Sequence, residues 1–268
     1  MHMKQSHESP LTSTQKTTEY ISNPFVSTFR GLGRLFDVNQ TLTIIALVVG
    51  LFWQFGQMWS PFPGGGDSST NTSGSTIEPV LIAIIICVVL AAIIFGVVIS
   101  VYVSGLYAYL ASSTIRKKTV GLGDAIRAVS SKFATLLWAL FIVFLKIFGG
   151  FLLFIIPGIR ASLRYAFVPL MIIHDDMNAK QAIKTSKQQT KGRLMEIFGI
   201  QTVGTIVPIV GGLLLIGGQV IYYPQMVAWH TSGQPKPKTH WLNYLGILLI
   251  LLLLALVAGI TLLIIALI

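Results

Sequence analysis

Arg160 and Arg164 stand four residues apart in an otherwise apolar stretch, so a helix there places both guanidinium groups on one face. Charged side chains inside an apolar segment are costly and point to function. An arginine fork suits phosphate, which it can bind through two parallel hydrogen bonds. Their own hairpin offers no carboxylate on that side, and the only outer acids are Asp67 and Glu78. The expected partner is therefore Glu78, a backbone carbonyl or a lipid phosphate, with snorkelling to headgroups as the plain alternative. Lys146, in the neighbouring apolar segment, either closes a basic pocket with these arginines or snorkels alone.

A second basic group is periodic. Lys180, Lys184, Lys187 and Lys191 recur at spacings of four, three and four, so one helical face carries them all. Asn178 is the expected cap of that helix. Beside a membrane such a stripe, with Arg193, would attract anionic headgroups at about 1 kcal/mol per basic residue. The plainer reading is a solvated face that enforces topology.

His174-Asp175-Asp176 offers three ligand types in a row, but neighbouring residues on a helix diverge by about 100°. His230 and His240 do not complete a zinc-binding spacing, so capping or interfacial roles are expected. No metal or cofactor is expected. The sequence lacks HExxH, GxSxG and a phosphate-binding loop with its Lys-Ser/Thr; Gly64-Gly65-Gly66 is a plain flexible loop. Glu196, beside Arg193, lies near the end of a span, and no acid lies deep within one. These absences argue against an enzyme and against proton or sodium coupling.

The elements that must position these groups are membrane helices. Of the 268 residues 53% are apolar and 10% charged, well below the soluble average of about a quarter charged. Seven spans are expected, at 41–59, 79–112, 134–156, 158–174, 194–210, 212–231 and 241–268, the short fourth and fifth being alternatively re-entrant. The fold expected is an all-α polytopic transmembrane bundle of six to seven spans. The net charge of +10 gathers beside the spans rather than forming a nucleic-acid surface. Linkers 113–133 and 175–193 are basic, while 60–78 holds no Lys or Arg, so the N-terminus and both basic linkers are expected in the cytoplasm of a cell whose plasma (inner) membrane houses the chain. Arg160 and Arg164 then fall in the outer half.

Residues 1–22 are polar and expected to be disordered, with no apolar h-region of a cleavable signal, and 23–268 form a single domain. Residues 24–38 read as an amphipathic helix capped by Asn23, with Phe25, Phe29, Leu32 and Phe36 on one face, either in the headgroup plane or docked on the protein. Cys87 reads as a small packing residue. Gly149-Gly150 and Gly217-Gly218 suit close helix contact, and Gly211-Gly212 an outer turn.

The basic-helix-plus-hairpin pattern occurs twice, at 123–176 and 178–230: Asp124-Ala125-Ile126-Arg127 answers Gln181-Ala182-Ile183-Lys184, and Pro169 and His174 answer Pro224 and His230. Residues 120–200, carried by the start at 123–127, by PGIRASLRYAFVPLMIIHDD at 157–176 and by AIKTSKQQTKGRLMEIFG at 182–199, resemble the glycerophosphoryl diester phosphodiesterase membrane-domain group and the related YciC-like inner-membrane family of bacteria and archaea. The resemblance implies a bundle of about six spans, leaving 241–268 as an addition. It implies no phosphodiesterase activity, which in proteins with both parts belongs to a separate soluble barrel. The functional expectation is a non-catalytic membrane protein that binds anionic phospholipid or a membrane partner. The alternative is a transporter or permease component for a phosphate-bearing amphiphile.

Overall fold

The computed structural model describes residues 20–58, 79–207, 210–233 and 238–267, and the tail before Tyr20 and the loop with Asp67 and Glu78 lie outside them. Every regular element among the described residues is helical: α1 (Pro24–Met58), α2 (Pro79–Ile115), α3 (Leu122–Leu153), α4 (Ile155–Arg164), α5 (Val168–His174), α6 (Ala179–Gln189), α7 (Leu194–Ile206), α8 (Gly211–Ser232), a 3-10 turn (Trp241–Tyr244) and α9 (Leu245–Leu267). Five stretches are long and apolar enough to cross a membrane: Pro24–Phe52, Ile82–Ile115, Leu122–Leu153, Ile155–His174 and Trp241–Ile265. Two of the seven expected spans, at 194–210 and 212–231, are not among these five. At 13 residues α7 reaches about 20 Å, short of the roughly 30 Å hydrocarbon core. α8 is long enough, but Gln219, Tyr222, Tyr223, Pro224 and Gln225 dilute its apolarity. It tolerates them because it packs on α1, α2 and α7 with most of its surface buried.

α1 begins where the sequence expects, with Asn23 Oδ1 accepting the Phe25 amide at 3.0 Å and Pro24 in the first turn. It breaks at Asn39 (φ −137°, ψ 57°), between the expected amphipathic segment and the expected first span. The break is held rather than loose. The Asn39 amide donates to Ser113 Oγ (3.1 Å) and Thr114 Oγ1 (3.3 Å) at the end of α2, while its carbonyl oxygen accepts the Val120 amide (3.0 Å). The Leu35 carbonyl accepts from Thr43 Oγ1 at 3.0 Å across the break. Of the two expected placements, docking through the phenylalanine face is not the one observed. Ser27, Thr28, Gly31 and Leu35 are buried against α8, and Phe29 and Phe36 remain exposed. Gly31 makes this possible: a Cβ there would fall 1.9 Å from the Gly217 carbonyl oxygen, so the two helix backbones touch.

The expected short basic helix at 123 and the third span form one continuous helix, α3. Its reversal into α4 occurs at Phe154, extended at φ −164°, and not at Pro157-Gly158. Those two residues sit inside the first turn of α4, where proline's missing N–H costs nothing. Gly150 and Gly158 let α3 and α4 approach closely, a Cβ on Gly150 lying 2.9 Å from the Gly158 Cα. The expected fourth span is interrupted at Tyr165–Phe167. Pro169 explains the interruption, since it can neither donate to the Tyr165 carbonyl nor leave room for it. Phe167 and His174, at opposite ends of α5, both rest on the Tyr223 ring of α8, with centroids 5.8 and 5.9 Å away.

The two halves of the expected duplication are thus built from different elements: a 32-residue helix followed by two short ones, then two short helices followed by a 22-residue one. Along 82–95 of α2, 151–156 and 247–265 every side chain is exposed and almost all are apolar. Such large bare faces suit hydrocarbon and not water. Cys87 lies among them, exposed rather than packed.

Candidate functional site

Lys146 on α3 and Arg160 and Arg164 on α4 converge on one open pocket of about 360 Å³, completed by Ile156, Pro157, Ala161 and Tyr165. The α3–α4 hairpin sets this geometry. A four-residue spacing aligns the arginines, and the close Gly150–Gly158 approach brings Lys146 opposite them. Lys146 Nζ lies 5.3 Å from the Tyr165 ring centroid, a cation–π distance. Among the described residues no carboxylate lines the pocket. The two ion pairs found among the described residues, Lys132–Asp176 and Arg193–Glu196, lie elsewhere. Three like charges so placed repel one another, and an anion in their midst removes the repulsion.

Arg164 is not on the opposite side of the protein from the lysine stripe, as the sequence reading had it. Its carbonyl accepts hydrogen bonds from Ser186 Oγ (2.7 Å) and Thr190 Oγ1 (3.4 Å), both belonging to the lysine-bearing segment. Helix α6 begins at the expected cap, where Asn178 Oδ1 accepts the Gln181 amide at 2.9 Å and Gln181 Oε1 accepts the Asn178 amide at 3.3 Å. It buries Ala179, Ala182, Ile183 and Ser186, and Lys180, Lys184 and Lys187 are exposed. Lys191 is exposed in the turn that follows. The hydroxyls thus mend the carbonyl at the α4–α5 interruption while the lysines point away. Substituting Ser186→Ala with Thr190→Val should lower stability by about 1–3 kcal/mol, since it strips that carbonyl of its side-chain donors. Thermal unfolding in detergent checks this, and an unchanged midpoint would contradict it.

Arg193 is the clear departure from the sequence reading. It cannot hold headgroups, because its side chain is fully buried. Gly192, at φ +82°, turns the chain sharply out of α6 and sends Arg193 inward at the start of α7. There its guanidinium lies between the Trp229 and Tyr20 rings, 4.0 and 4.7 Å from their centroids. Nη1 donates to the Tyr20 hydroxyl and lies 3.5 Å from Glu196 Oε2. Glu196, 2% exposed, also accepts from Tyr222 (2.5 Å) and Thr239 (3.4 Å). Burial, and secondarily the Glu196 charge, push the Tyr20 hydroxyl above its ordinary range against a smaller opposing pull from Arg193, so it stays neutral. This network ties the chain before α1, the start of α7, the end of α8 and the approach to α9 together. The Arg193–Glu196 spacing of three was its one sequence signal.

His174-Asp175-Asp176 disperses over three neighbours. His174 Nδ1 pairs with Ser112 Oγ at 3.0 Å, Asp175 accepts from the Tyr223 hydroxyl, and Asp176 binds Lys132. His240 Nδ1 accepts the Leu242 amide at 3.3 Å, capping the 3-10 turn. Among the described residues no three His, Cys, Asp or Glu side chains come together as a metal site would need. Comparison of the chain with family models, with curated proteins and with solved structures finds no match.

Proposed function

We propose that this chain is a non-catalytic integral membrane protein that holds an anionic phospholipid by its phosphate between Lys146, Arg160 and Arg164. The supporting observation is the pocket itself: three cations around about 360 Å³, with no carboxylate in the lining among the described residues. Two arginine forks and an ammonium match a phosphate's oxygens in charge and hydrogen-bonding capacity. The exposed Lys180, Lys184, Lys187 and Lys191 add a less specific attraction for acidic headgroups from the segment that grips Arg164. A permease reading would draw on the interrupted helix, whose free carbonyls could line a path. It is the weaker one, because Ser186 and Thr190 already occupy the Arg164 carbonyl. Placement in the glycerophosphoryl diester phosphodiesterase membrane-domain or YciC-like group rests on the quoted motif residues alone; a barrel-type diesterase assay on the purified chain should give no turnover, and turnover would refute the non-catalytic reading.

Titrating the detergent-solubilised protein with short-chain phosphatidylglycerol should raise its thermal midpoint, and phosphatidylcholine of the same chain length should not. Lys146→Gln/Arg160→Gln/Arg164→Gln should abolish that difference with little change in the lipid-free midpoint. Equal stabilisation by both lipids, or an undiminished anionic preference in the triple variant, would refute the assignment.

A further inference from the structure

A second cavity lies beside the α4–α5 interruption. It is an open cleft of about 390 Å³ bounded by α1, α2, α5 and α8, and it is mainly apolar. Leu47, Val103, Leu170, Leu213 and Ile216 are among its walls, with Ala46, Gly50 and Gly212 keeping it open. Arg164 and Tyr165 line the basic pocket, and the very next residue, Ala166, lines this cleft. Consecutive residues of one turn therefore line an open cationic site and an apolar slot of similar volume. Two groups in the slot are polar and uncommitted: the Ser104 hydroxyl and the Gln219 amide make no side-chain hydrogen bond to another described residue. Helices Pro24–Phe52 and Ile82–Ile115, which form two of its sides, are among those long and apolar enough to cross a membrane, which would put lipid around the cleft.

Building on the pocket assignment, we infer that one glycerophospholipid straddles the interruption. Its phosphate sits on Lys146, Arg160 and Arg164, one acyl chain lies in the cleft, and an ester carbonyl accepts from the Gln219 amide. The molecule supplies these three chemistries in that order, an anion, then an ester a few bonds away, then a hydrocarbon chain. A free phosphate fills only the first site, and a neutral lipid only the other two.

The test uses the full chain in phosphatidylcholine vesicles that hold a trace of phosphatidylglycerol with a diazirine in mid-chain. After illumination, peptides should carry the label mainly on cleft-lining residues around Val103–Tyr107, Pro169–Leu170 and Gly212–Gln219. Arg160→Gln/Arg164→Gln should cut that label about tenfold, as expected if about 1.4 kcal/mol of anchoring is lost. Gln219→Leu, which leaves the pocket intact, should lower it about fivefold, the worth of one net hydrogen bond. Label spread over the bare faces of α2 and α9 with the cleft unlabelled would overturn the straddling lipid, yet leave the pocket reading standing if the arginine variant still loses its anionic preference. Cleft labelling that is equal in wild type and arginine variant would also overturn it, since bulk lipid would then fill the slot. Should Gln219→Leu fail to fold, Ser104→Phe, which fills the cleft from α2, replaces it and should likewise deplete the label.

Discussion

Glu196→Leu should destabilise the protein by about 3–5 kcal/mol, the cost of leaving one member of a buried ion pair without its partner. The substitution strands the fully buried Arg193 guanidinium and leaves the Tyr222 hydroxyl without its acceptor. The two flanking aromatic rings, each worth about 2 kcal/mol or more when desolvated, soften this loss, but they do not replace the carboxylate's charge. Removing both charges, as Arg193→Met/Glu196→Leu, should be clearly milder than Glu196→Leu alone, since an apolar pair of similar volume carries no desolvation cost. Unfolding midpoints of the three proteins in one detergent give the answer. A double variant as damaged as the single one would mean that the network is held by shape and not by charge balance.

Gly31→Ala should cost at least about 3 kcal/mol, the upper end of what forced overpacking produces. The new Cβ would meet the carbonyl oxygen, carbonyl carbon and Cα of Gly217 at 1.9, 2.3 and 2.7 Å, and backbone cannot rotate away as a side chain can. α1 and α8 would have to separate, which exposes Ser27 and Thr28 and loosens the platform on which the interrupted segment rests. Two residues along the same helix, Gly33 has nothing within 4 Å of an added Cβ. Gly33→Ala should therefore be neutral or stabilise by up to about 1 kcal/mol through helix propensity. The pair separates a steric effect from a general dislike of alanine at these glycines. Similar losses in both variants would contradict the close crossing.

The features legible in the sequence are those whose causes are local. Asn23 and Asn178 sit where a cap belongs, and the lysine periodicity fixes the exposed face of α6. The glycine pair at Gly217-Gly218 foretells close contact without naming its partner. Lys146 stayed undecided because its meeting with Arg160 and Arg164 depends on how nearly α3 and α4 approach, which Gly150 and Gly158 settle in three dimensions. The interruption after Arg164 was missed because Pro157-Gly158 looked like the obvious turn, whereas Pro169 acts four residues upstream on the Tyr165 carbonyl. Arg193 was misplaced for a similar reason. It follows four lysines in sequence, but the left-handed Gly192 rotates it to the opposite side of the chain and into the core. Ser186 and Thr190 read as unremarkable polar residues on a basic helix. Their importance lies in a carbonyl more than twenty residues away in sequence.

The claim that Lys146, Arg160 and Arg164 form a specific phosphate site is tested most directly by native mass spectrometry of the protein extracted with its own membrane. Wild type should retain an anionic phospholipid at one-to-one stoichiometry through collisional activation, and Arg160→Ala/Arg164→Ala should lose it while keeping the same folded charge-state distribution. The same lipids retained equally by both proteins would contradict the account and reduce the two arginines to interfacial anchors.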